Sequence, residues 1–231
     1  MQPPAHTPDY RTAAKSIDHS LLRPELTPDD VRSGCELARK YEVASVCCRP
    51  TDVALSAELL SGSDVLVGTV IGFPHGSHLT STKVAETAEL LRLGADEFDM
   101  VLNIGWLRAG LLSHVKDDIG AVVAAAEGRV VKVILENAYL TDEEKVTGCR
   151  AAEDAGAHYV KTSTGYAPSG ATLEDVALMR ATVSPAVKVK CAGGVRTLDD
   201  LLAMRAAGAD RSGATQTAAM LDEYRQRYGA Q

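Results

Sequence analysis

Charged side chains recur at alternate positions in several short β-rich segments of this sequence. Successive side chains of a strand point to opposite faces, so each segment has one mostly apolar face and one face with ionisable groups. The ionisable residues concerned are Asp99, Lys132, Glu136, Lys161, Lys188 and Lys190. Because unpaired buried charge is destabilising, such a cluster indicates chemistry, with a structural ion-pair network as the alternative interpretation.

Lysines that lie close together suit amine catalysis. A lysine attacks a carbonyl carbon only as the free amine, and with an ordinary pKa of about 10.4 only about one in 2,500 is neutral at pH 7. Burial and a neighbouring cation both lower that pKa, and a second lysine can supply the cation. A carboxylate nearby can then move protons. This combination predicts a Schiff-base aldolase or a related imine enzyme.

Glycines and small residues end the last three predicted strands, at residues 161–165, 192–196 and 212–215. Backbone N–H groups exposed at glycines and at helix N-termini bind phosphate. Barrels of alternating strands and helices often bind phosphate after their seventh and eighth strands. The pattern therefore predicts a phosphate site, with ordinary turns as the alternative interpretation.

The segments that position these groups alternate between β-rich and amphipathic helical patterns. The β-rich segments are 17–22, 43–48, 65–71, 97–104, 130–136, 158–163, 187–192 and 209–214, and helical stretches include 30–41, 83–93, 112–126 and 198–207. Eight such units in 231 residues predict a single-domain α/β fold, the (β/α)8 TIM barrel, over residues 16–231 after an N-terminal extension at 1–15. An open doubly wound sheet is the competing arrangement, although no dinucleotide or Walker loop supports nucleotide binding.

The ends of the predicted helices carry their own signals. Threonines followed by acidic residues, at Thr27, Thr141 and Thr197, predict helix starts. Gly94, Gly156 and Gly208 follow helical stretches and predict helix C-caps that lead into the next strand.

The composition limits the classes of protein that this chain can represent. The net charge of −7 disfavours a general binder of nucleic acid or of anionic membranes. With 45% hydrophobic and 24% charged residues, the chain is typical of a globular protein, and no apolar run reaches the roughly 18 residues of a membrane span. The first residues lack the apolar core of a signal peptide, so we expect a cytoplasmic protein.

Cysteines and histidines predict neither disulfides nor a metal site. The five cysteines are odd in number and scattered, without a zinc-type pair: Cys35, Cys47, Cys48, Cys149 and Cys191. His75 and His78 are three residues apart, but no third ligand is evident. We therefore expect no metal, and the imine chemistry described above requires no organic cofactor.

Motifs on nearly every predicted strand resemble the deoxyribose-phosphate aldolase family. They are residues 17–22 (IDHSLL), 45–47 (SVC), 72–76 (GFPHG), 96–105 (DEFDMVLNIG), 132–136 (KVILE), 159–165 (YVKTSTG) and 188–196 (KVKCAGGVR). The likeness runs in order from about Asp18 to the last predicted helix. It implies a (β/α)8 class I aldolase that cleaves 2-deoxy-D-ribose 5-phosphate reversibly to D-glyceraldehyde 3-phosphate and acetaldehyde.

The resemblance also implies roles for single residues. Lys161 matches the Schiff-base lysine, Lys190 the second lysine that perturbs it and aids proton transfer, and Asp99 the acid/base aspartate. The positions that match phosphate contacts are Gly165, Gly193, Gly194, Val195, Arg196, Gly213, Thr215 and Gln216. The positions near the sugar hydroxyls are Asp18, Ser20 and Thr164, and Cys47 falls where some members carry a thiol. The partners implied are the phosphosugar, acetaldehyde and further copies of the chain in a dimer or tetramer, with no nucleic acid and no membrane.

Two positions depart from the family pattern at the implied phosphate site. Tyr166 stands where some members have a lysine, and Gln216 enlarges a turn that usually carries small hydroxyl residues. These departures motivate a second hypothesis, in which the same imine chemistry acts on another deoxy sugar or aldehyde. A third hypothesis, from a different class, is a non-catalytic phosphosugar-binding barrel. On the last helix, Tyr224 and Tyr228 are interpreted as part of a surface helix rather than as an assisting C-terminal tyrosine.

Overall fold

Residues 9–229, the part of the chain that this computed structural model describes, form eight parallel strands that close into a barrel. In chain order the strands are β1 (Ile17–Leu21), β2 (Ser45–Cys48), β3 (Leu66–Ile71), β4 (Glu97–Val101), β5 (Val130–Ile134), β6 (Tyr159–Lys161), β7 (Lys188–Ala192) and β8 (Arg211–Ala214). The sheet closes where β8 pairs with β1 and Asp18 lies opposite Gly213. The predicted (β/α)8 barrel is confirmed, and the competing open sheet is wrong.

Helices lie between the strands along the chain. They are α1 (Tyr10–Ala14), α2 (Pro28–Tyr41), α3 (Val53–Leu60), α4 (Thr80–Arg92), α5 (Ile104–Arg108), α6 (Leu112–Ala125), α7 (Asp142–Asp154), α8 (Leu173–Thr182), α9 (Leu198–Ala206) and α10 (Thr217–Tyr228). Within residues 9–229, none of these helices has the length and apolar character needed to cross a membrane.

The helix boundaries follow the signals read from the sequence. Three helices, α2, α7 and α9, begin with capping boxes at Thr27, Thr141 and Thr197, in which the hydroxyl and the third residue's carboxylate each accept a backbone N–H. After α4, α7 and α9, Gly94, Gly156 and Gly208 have φ of +102°, +85° and +113°. Glycine favours this left-handed region, so each turns the chain towards the next strand. Both predictions are confirmed.

The alternation along the strands separates two buried layers. Phe98 and Met100 of β4 and Val131 and Val133 of β5 are fully buried in the hydrophobic core formed with the helices. The intervening residues, Asp99 and Lys132 among them, are also buried but bond to charged groups inside the barrel. The predicted apolar and ionisable faces are therefore confirmed for these two strands.

Four strands, predicted at 17–22, 97–104, 130–136 and 158–163, end earlier in the structure, at Leu21, Val101, Ile134 and Lys161. The predicted strand 97–104 ends at Val101, because the Asn103 side chain accepts the backbone N–H of Trp106 and caps α5. The predicted strand 130–136 ends at Ile134, and Glu136 adopts a left-handed φ of 59°. The residues beyond these strand ends therefore belong to loops and turns, where their side chains no longer follow the alternation of a strand.

The described part of the N-terminal segment contains helix α1, ahead of the first strand. The Asp9 carboxylate accepts the backbone N–H of Thr12 at 2.8 Å, and Ala13 and Ala14 are buried. The ring of Tyr10 packs edge-on against Tyr224 of α10, with centroids 5.7 Å apart. Residues 1–8 of the predicted N-terminal extension lie outside the described residues.

Candidate active site

Strands β4, β6 and β7 bring Asp99, Lys161 and Lys190 together inside the barrel. Lys161 of β6 and Lys190 of β7 are register partners, and β4 contributes Asp99. Each lysine Nζ lies 2.7 Å from the same atom, Asp99 Oδ2. All three side chains are almost fully buried, so the carboxylate and both amines interact with little screening by water.

These three residues belong to a larger buried ion-pair cluster. Lys132 Nζ lies 2.7 Å from Glu97, 3.0 Å from Asp99 and 3.5 Å from Asp18. Asp18 also lies 2.5 Å from Lys190 Nζ. On β8, Arg211 completes the cluster, 2.6 Å from Asp18 and 3.5 Å from Glu97.

The cluster moves the pKa values of its two pocket lysines in opposite directions. Burial lowers the pKa of Lys161; the Asp99 carboxylate opposes this change, and the Lys190 cation adds to it. Burial acts on Lys190 in the same way, but the Asp18 and Asp99 carboxylates outweigh it and raise the pKa of Lys190. Lys161 is therefore the better source of a free amine, and Lys190 is the better persistent cation.

Asp99 is held as a carboxylate. Burial acts to raise its pKa, but Lys132, Lys161 and Lys190 overcome that effect and hold the pKa of Asp99 well below its ordinary value. A carboxylate of this kind accepts hydrogen bonds and relays protons, and it stays charged at neutral pH.

A pocket of about 570 Å³ opens at the ends of β6, β7 and β8. Lys161 and Lys190 line it together with Asp18, Ser20, Cys47, Thr164, Gly165, Gly193, Gly194, Val195, Arg196, Gly213 and Thr215. The structure thus brings most of the predicted site residues to one cavity. Asp99 is fully buried and reaches the cavity through the two lysines, and Gln216, the residue before α10, is not among the described residues that line it.

Comparison with known proteins identifies the family of this chain. A family model described as DeoC/LacD family aldolase matches residues 9–221. The chain belongs to this aldolase family.

Individual relatives agree over nearly the whole chain. The deoxyribose-phosphate aldolase of Bacillus cytotoxicus is 53% identical over 209 residues, which cover 90% of this chain and 94% of the relative. That of Streptococcus gordonii is 52% identical over 207 residues, with 90% and 94% covered. Among solved structures, the tetrameric deoxyribose phosphate aldolase of Aeropyrum pernix matches with a TM-score of 0.88 at 29% identity, covering 96% of this chain and 94% of that one.

Two members of the charged set read from the sequence of this aldolase lie outside the cluster. Lys188 is exposed, with Nζ 5.7 Å from the ring centre of Tyr159, in a cleft at the start of β7. Glu136 accepts the backbone N–H of Thr164 at 3.1 Å and also bonds the Thr164 hydroxyl. The prediction of one cluster that contains both is wrong, because Lys188 lies at the opposite end of its strand and Glu136 lies beyond the end of β5.

Two cluster members, Glu97 and Arg211, were not among the candidate residues of the sequence analysis, and Lys132 was in the charged set without a specific role. Strand alternation places Glu97 on the same face as Asp99, which was a usable signal. Arg211 falls within the predicted last strand, and it shares a face with the pocket residue Gly213. The sequence offered no signal that Arg211 reaches across the barrel to Asp18 and Glu97.

The remaining candidate residues have defined surroundings. Cys47 Sγ lies 4.0 Å from Asp99 Oδ2, and burial raises the pKa of this thiol. The hydroxyl of Tyr166 donates to the carbonyl of Leu22 at 2.7 Å, and its ring meets Phe73 edge-on.

Tyr224 of α10 is buried against Tyr10, and within residues 9–229 neither it nor Tyr228 lines the pocket. His75 and His78 are exposed, and among the described residues no group of three His, Cys, Asp or Glu side chains is placed to hold a metal ion.

Proposed function

We propose that this chain is a lyase that cleaves 2-deoxy-D-ribose 5-phosphate reversibly to D-glyceraldehyde 3-phosphate and acetaldehyde, through an imine on Lys161. The relatives named above support this choice of substrate, since they are deoxyribose-phosphate aldolases whose sequences are 52% and 53% identical to this chain. One observation carries the residue assignment: the Nζ atoms of Lys161 and Lys190 both lie 2.7 Å from Asp99 Oδ2, at the floor of a pocket.

The reaction begins with attack by the neutral Lys161 amine on the aldehyde carbon, C1. A bond forms between Nζ and C1 while the carbonyl oxygen takes up a proton. The resulting hydroxyl leaves as water after a second proton arrives from Lys190, which is cationic before this step and neutral after it. The product is a protonated imine, whose positive nitrogen can accept an electron pair.

Carbon–carbon cleavage follows from that electron sink. The proton of the C3 hydroxyl passes through a water molecule to the Asp99 carboxylate, with Lys190 as its neighbour. The bond between C2 and C3 then breaks, and its electron pair forms the enamine that remains on Lys161. D-glyceraldehyde 3-phosphate leaves, the proton returns to C2, and water hydrolyses the imine to acetaldehyde and free Lys161.

The phosphate group is assigned to the glycine-rich side of the pocket. Gly193 and Gly194 line the pocket with φ of +79° and +100°, conformations that glycine adopts without strain, and backbone N–H groups in such glycine loops bind phosphate. Close packing also demands small residues here, since a Cβ on Gly170 would lie 2.1 Å from the carbonyl oxygen of Gly193. Arg196 follows this loop at the same pocket and supplies a cation.

The test is removal of the proposed nucleophile. Lys161→Leu is expected to abolish release of D-glyceraldehyde 3-phosphate in a coupled assay. Borohydride treatment of the wild type with acetaldehyde is expected to give a reduced adduct that mass spectrometry places on Lys161. Lys188→Leu, the same substitution at an exposed lysine outside the cluster, serves as the control and keeps turnover. Retained turnover in Lys161→Leu, or an adduct on another lysine, removes the mechanism.

Tyr166 favours a second candidate, in which the same imine chemistry acts on an unphosphorylated deoxy sugar or aldehyde. Its side chain lines the pocket, is 47% exposed, and presents a phenol where some family members have a lysine. Comparing turnover of phosphorylated and unphosphorylated substrates distinguishes the two candidates. A homo-oligomeric state and a cytoplasmic location stay predictions from the sequence.

A further inference from the structure

Arg211 connects the active-site cluster to the N-terminal end of the barrel. It is the first residue of β8, and its side chain is 15% exposed at a cleft that Lys188 and Arg205 also line. Its guanidinium reaches inward to Asp18 at 2.6 Å and Glu97 at 3.5 Å. Asp18 in turn contacts Lys190, so Arg211 is linked through fixed charges to the proposed catalytic lysines.

The buried cluster holds more cationic groups than carboxylates. Among residues 9–229, the groups that these ion pairs connect are four bases, Lys132, Lys161, Lys190 and Arg211, and three acids, Asp18, Glu97 and Asp99. If every group were ionised, the cluster would carry a net positive charge in a region shielded from water. Burying uncompensated charge is strongly unfavourable, so the cluster favours the loss of one proton.

The contacts decide which group loses that proton. An arginine does not deprotonate in proteins. Lys132 contacts three carboxylates and Lys190 contacts two. Lys161 contacts Asp99, and the described residues provide no second carboxylate within ion-pair distance of its Nζ. Lys161 therefore loses the least electrostatic stabilisation when it becomes neutral, and its side chain lines the pocket.

We propose that Arg211 and Glu97 are positioning residues that set the number of protons held by the cluster and thereby leave Lys161 as the free amine. Arg211 supplies the permanent positive charge that makes a fourth ionised base unfavourable. Glu97 supplies the negative charge that keeps Lys132 ionised without help from Lys161. Neither residue needs to touch substrate, since both act through charge.

Other titratable groups surround the two ends of this chain of charges. Lys161 faces Asp99 from β4, Lys190 from β7 and the Cys47 thiol from β2. Arg211 faces Asp18 from β1, Glu97 from β4 and Tyr159 from β6. Two further groups point elsewhere: His19 bonds the Thr217 hydroxyl on α10, and Glu136 bonds Thr164.

Two single variants should shift the pH dependence of imine formation at Lys161 in opposite directions. Arg211→Met removes a positive charge, so Lys161 keeps its proton to higher pH. Glu97→Gln removes a negative charge, so Lys161 loses its proton at lower pH. Imine formation needs the neutral amine, so the acid limb of its pH profile moves up in the first variant and down in the second, by about one pH unit each. The double variant Arg211→Met with Glu97→Gln restores the net charge of the cluster. The acid limb of its pH profile should therefore return to near the wild-type position.

The measurement is the rate of acetaldehyde trapping by borohydride at Lys161, followed by mass spectrometry across a pH series. Lys188→Met is the matched control, because it removes an exposed cation at the same end of the barrel, and it leaves the limb in place. The positioning role rests on the imine chemistry proposed for Lys161, but different results would contradict the two proposals. If the wild type forms no adduct with acetaldehyde, the proposed function is wrong. An adduct whose acid limb does not move in folded Arg211→Met or Glu97→Gln, or moves the same way in both, overturns the positioning role. If Arg211→Met does not fold, Glu97→Gln alone decides by the direction of its shift.

Discussion

Lys161 and Lys190 share one carboxylate oxygen, since the Nζ of each lies 2.7 Å from Asp99 Oδ2. Lys190 has a second carboxylate, Asp18, at 2.5 Å, which the described residues do not provide for Lys161. This difference separates two chemically identical side chains, because it raises the pKa of one lysine while burial lowers the pKa of the other. One becomes the proposed nucleophile and the other its cationic neighbour.

Replacing Lys190 should reduce the free-amine fraction of Lys161. The Lys190 cation lowers the pKa of Lys161, so Lys190→Leu raises that pKa and moves the acid limb of turnover to higher pH. Loss of the proton donor adds a fall in turnover of about 10²-fold or more. Lys190→Arg keeps the charge and is expected to keep the position of the limb while turnover falls. A limb that stays in place in Lys190→Leu would contradict the role given to this cation.

A negative charge in the glycine loop should weaken binding of the phosphate. Gly194 lines the pocket, and a Cβ added there meets nothing within 4 Å. Gly194→Asp is therefore expected to raise KM for deoxyribose 5-phosphate about tenfold more than Gly194→Asn does, since the two share the backbone strain and differ in charge. KM for unphosphorylated deoxyribose should be equal in the two variants. Equal KM values for the phosphorylated substrate would place the phosphate elsewhere.

The buried His19 should make the fold sensitive to mild acid. Burial lowers the pKa of His19 from 6.5 to about 4. The unfolded chain therefore binds a proton that the folded chain does not bind as pH falls from 6.5 to about 4, and the free energy of unfolding decreases by about 3 kcal/mol over that window. Urea unfolding at several pH values measures this loss. His19→Gln should reduce the pH-dependent loss and His75→Gln, at an exposed position, should not; equal losses in both would be inconsistent with the prediction.

A second buried ion pair, remote from the pocket, should matter for stability. Lys83 Nζ of α4 lies 2.6 Å from Asp118 Oδ2 of α6 and donates to the carbonyl of Val101 at 2.9 Å, and both charged side chains are fully buried. Asp118→Ala leaves the ammonium without its counter-ion and should lower the free energy of unfolding by about 3–5 kcal/mol. The double variant Lys83→Met with Asp118→Leu should lose less, because no charge stays unpaired. Denaturant titration of both variants decides, and a stable Asp118→Ala would show that water or another group replaces the carboxylate.

Much of the active-site architecture could be predicted because strand alternation has a period of two residues. That period places Asp99 and Lys132 on the face opposite Phe98 and Val131, whatever the fold around them. Capping threonines and C-cap glycines similarly marked where helices begin and end, since those signals depend on neighbouring residues along the chain. The barrel then followed from the number and order of these segments.

Partners across the barrel could not be predicted in the same way. Alternation states which face a side chain is on, but it does not state how far along the barrel axis the side chain lies. Lys188 and Lys190 share a face of β7, yet the first is exposed at one end and the second is buried at the centre. The left-handed backbone at Glu136 likewise turned its carboxylate to Thr164, which no periodic pattern anticipates.

The amino-acid sequence by itself therefore determined the fold class, the elements and the group of residues that could form an imine-forming site, because these depend on local periodicity and on motifs read in order. Only the tertiary structure decided which charges neutralise one another. Arg211 contacts Asp18, which is 193 residues away in the sequence. The two residues meet only because the barrel closes with β8 beside β1. In the proposed mechanism, the protonation of Lys161 depends on the charges of this ion-pair cluster. These charges come together only when the barrel has closed.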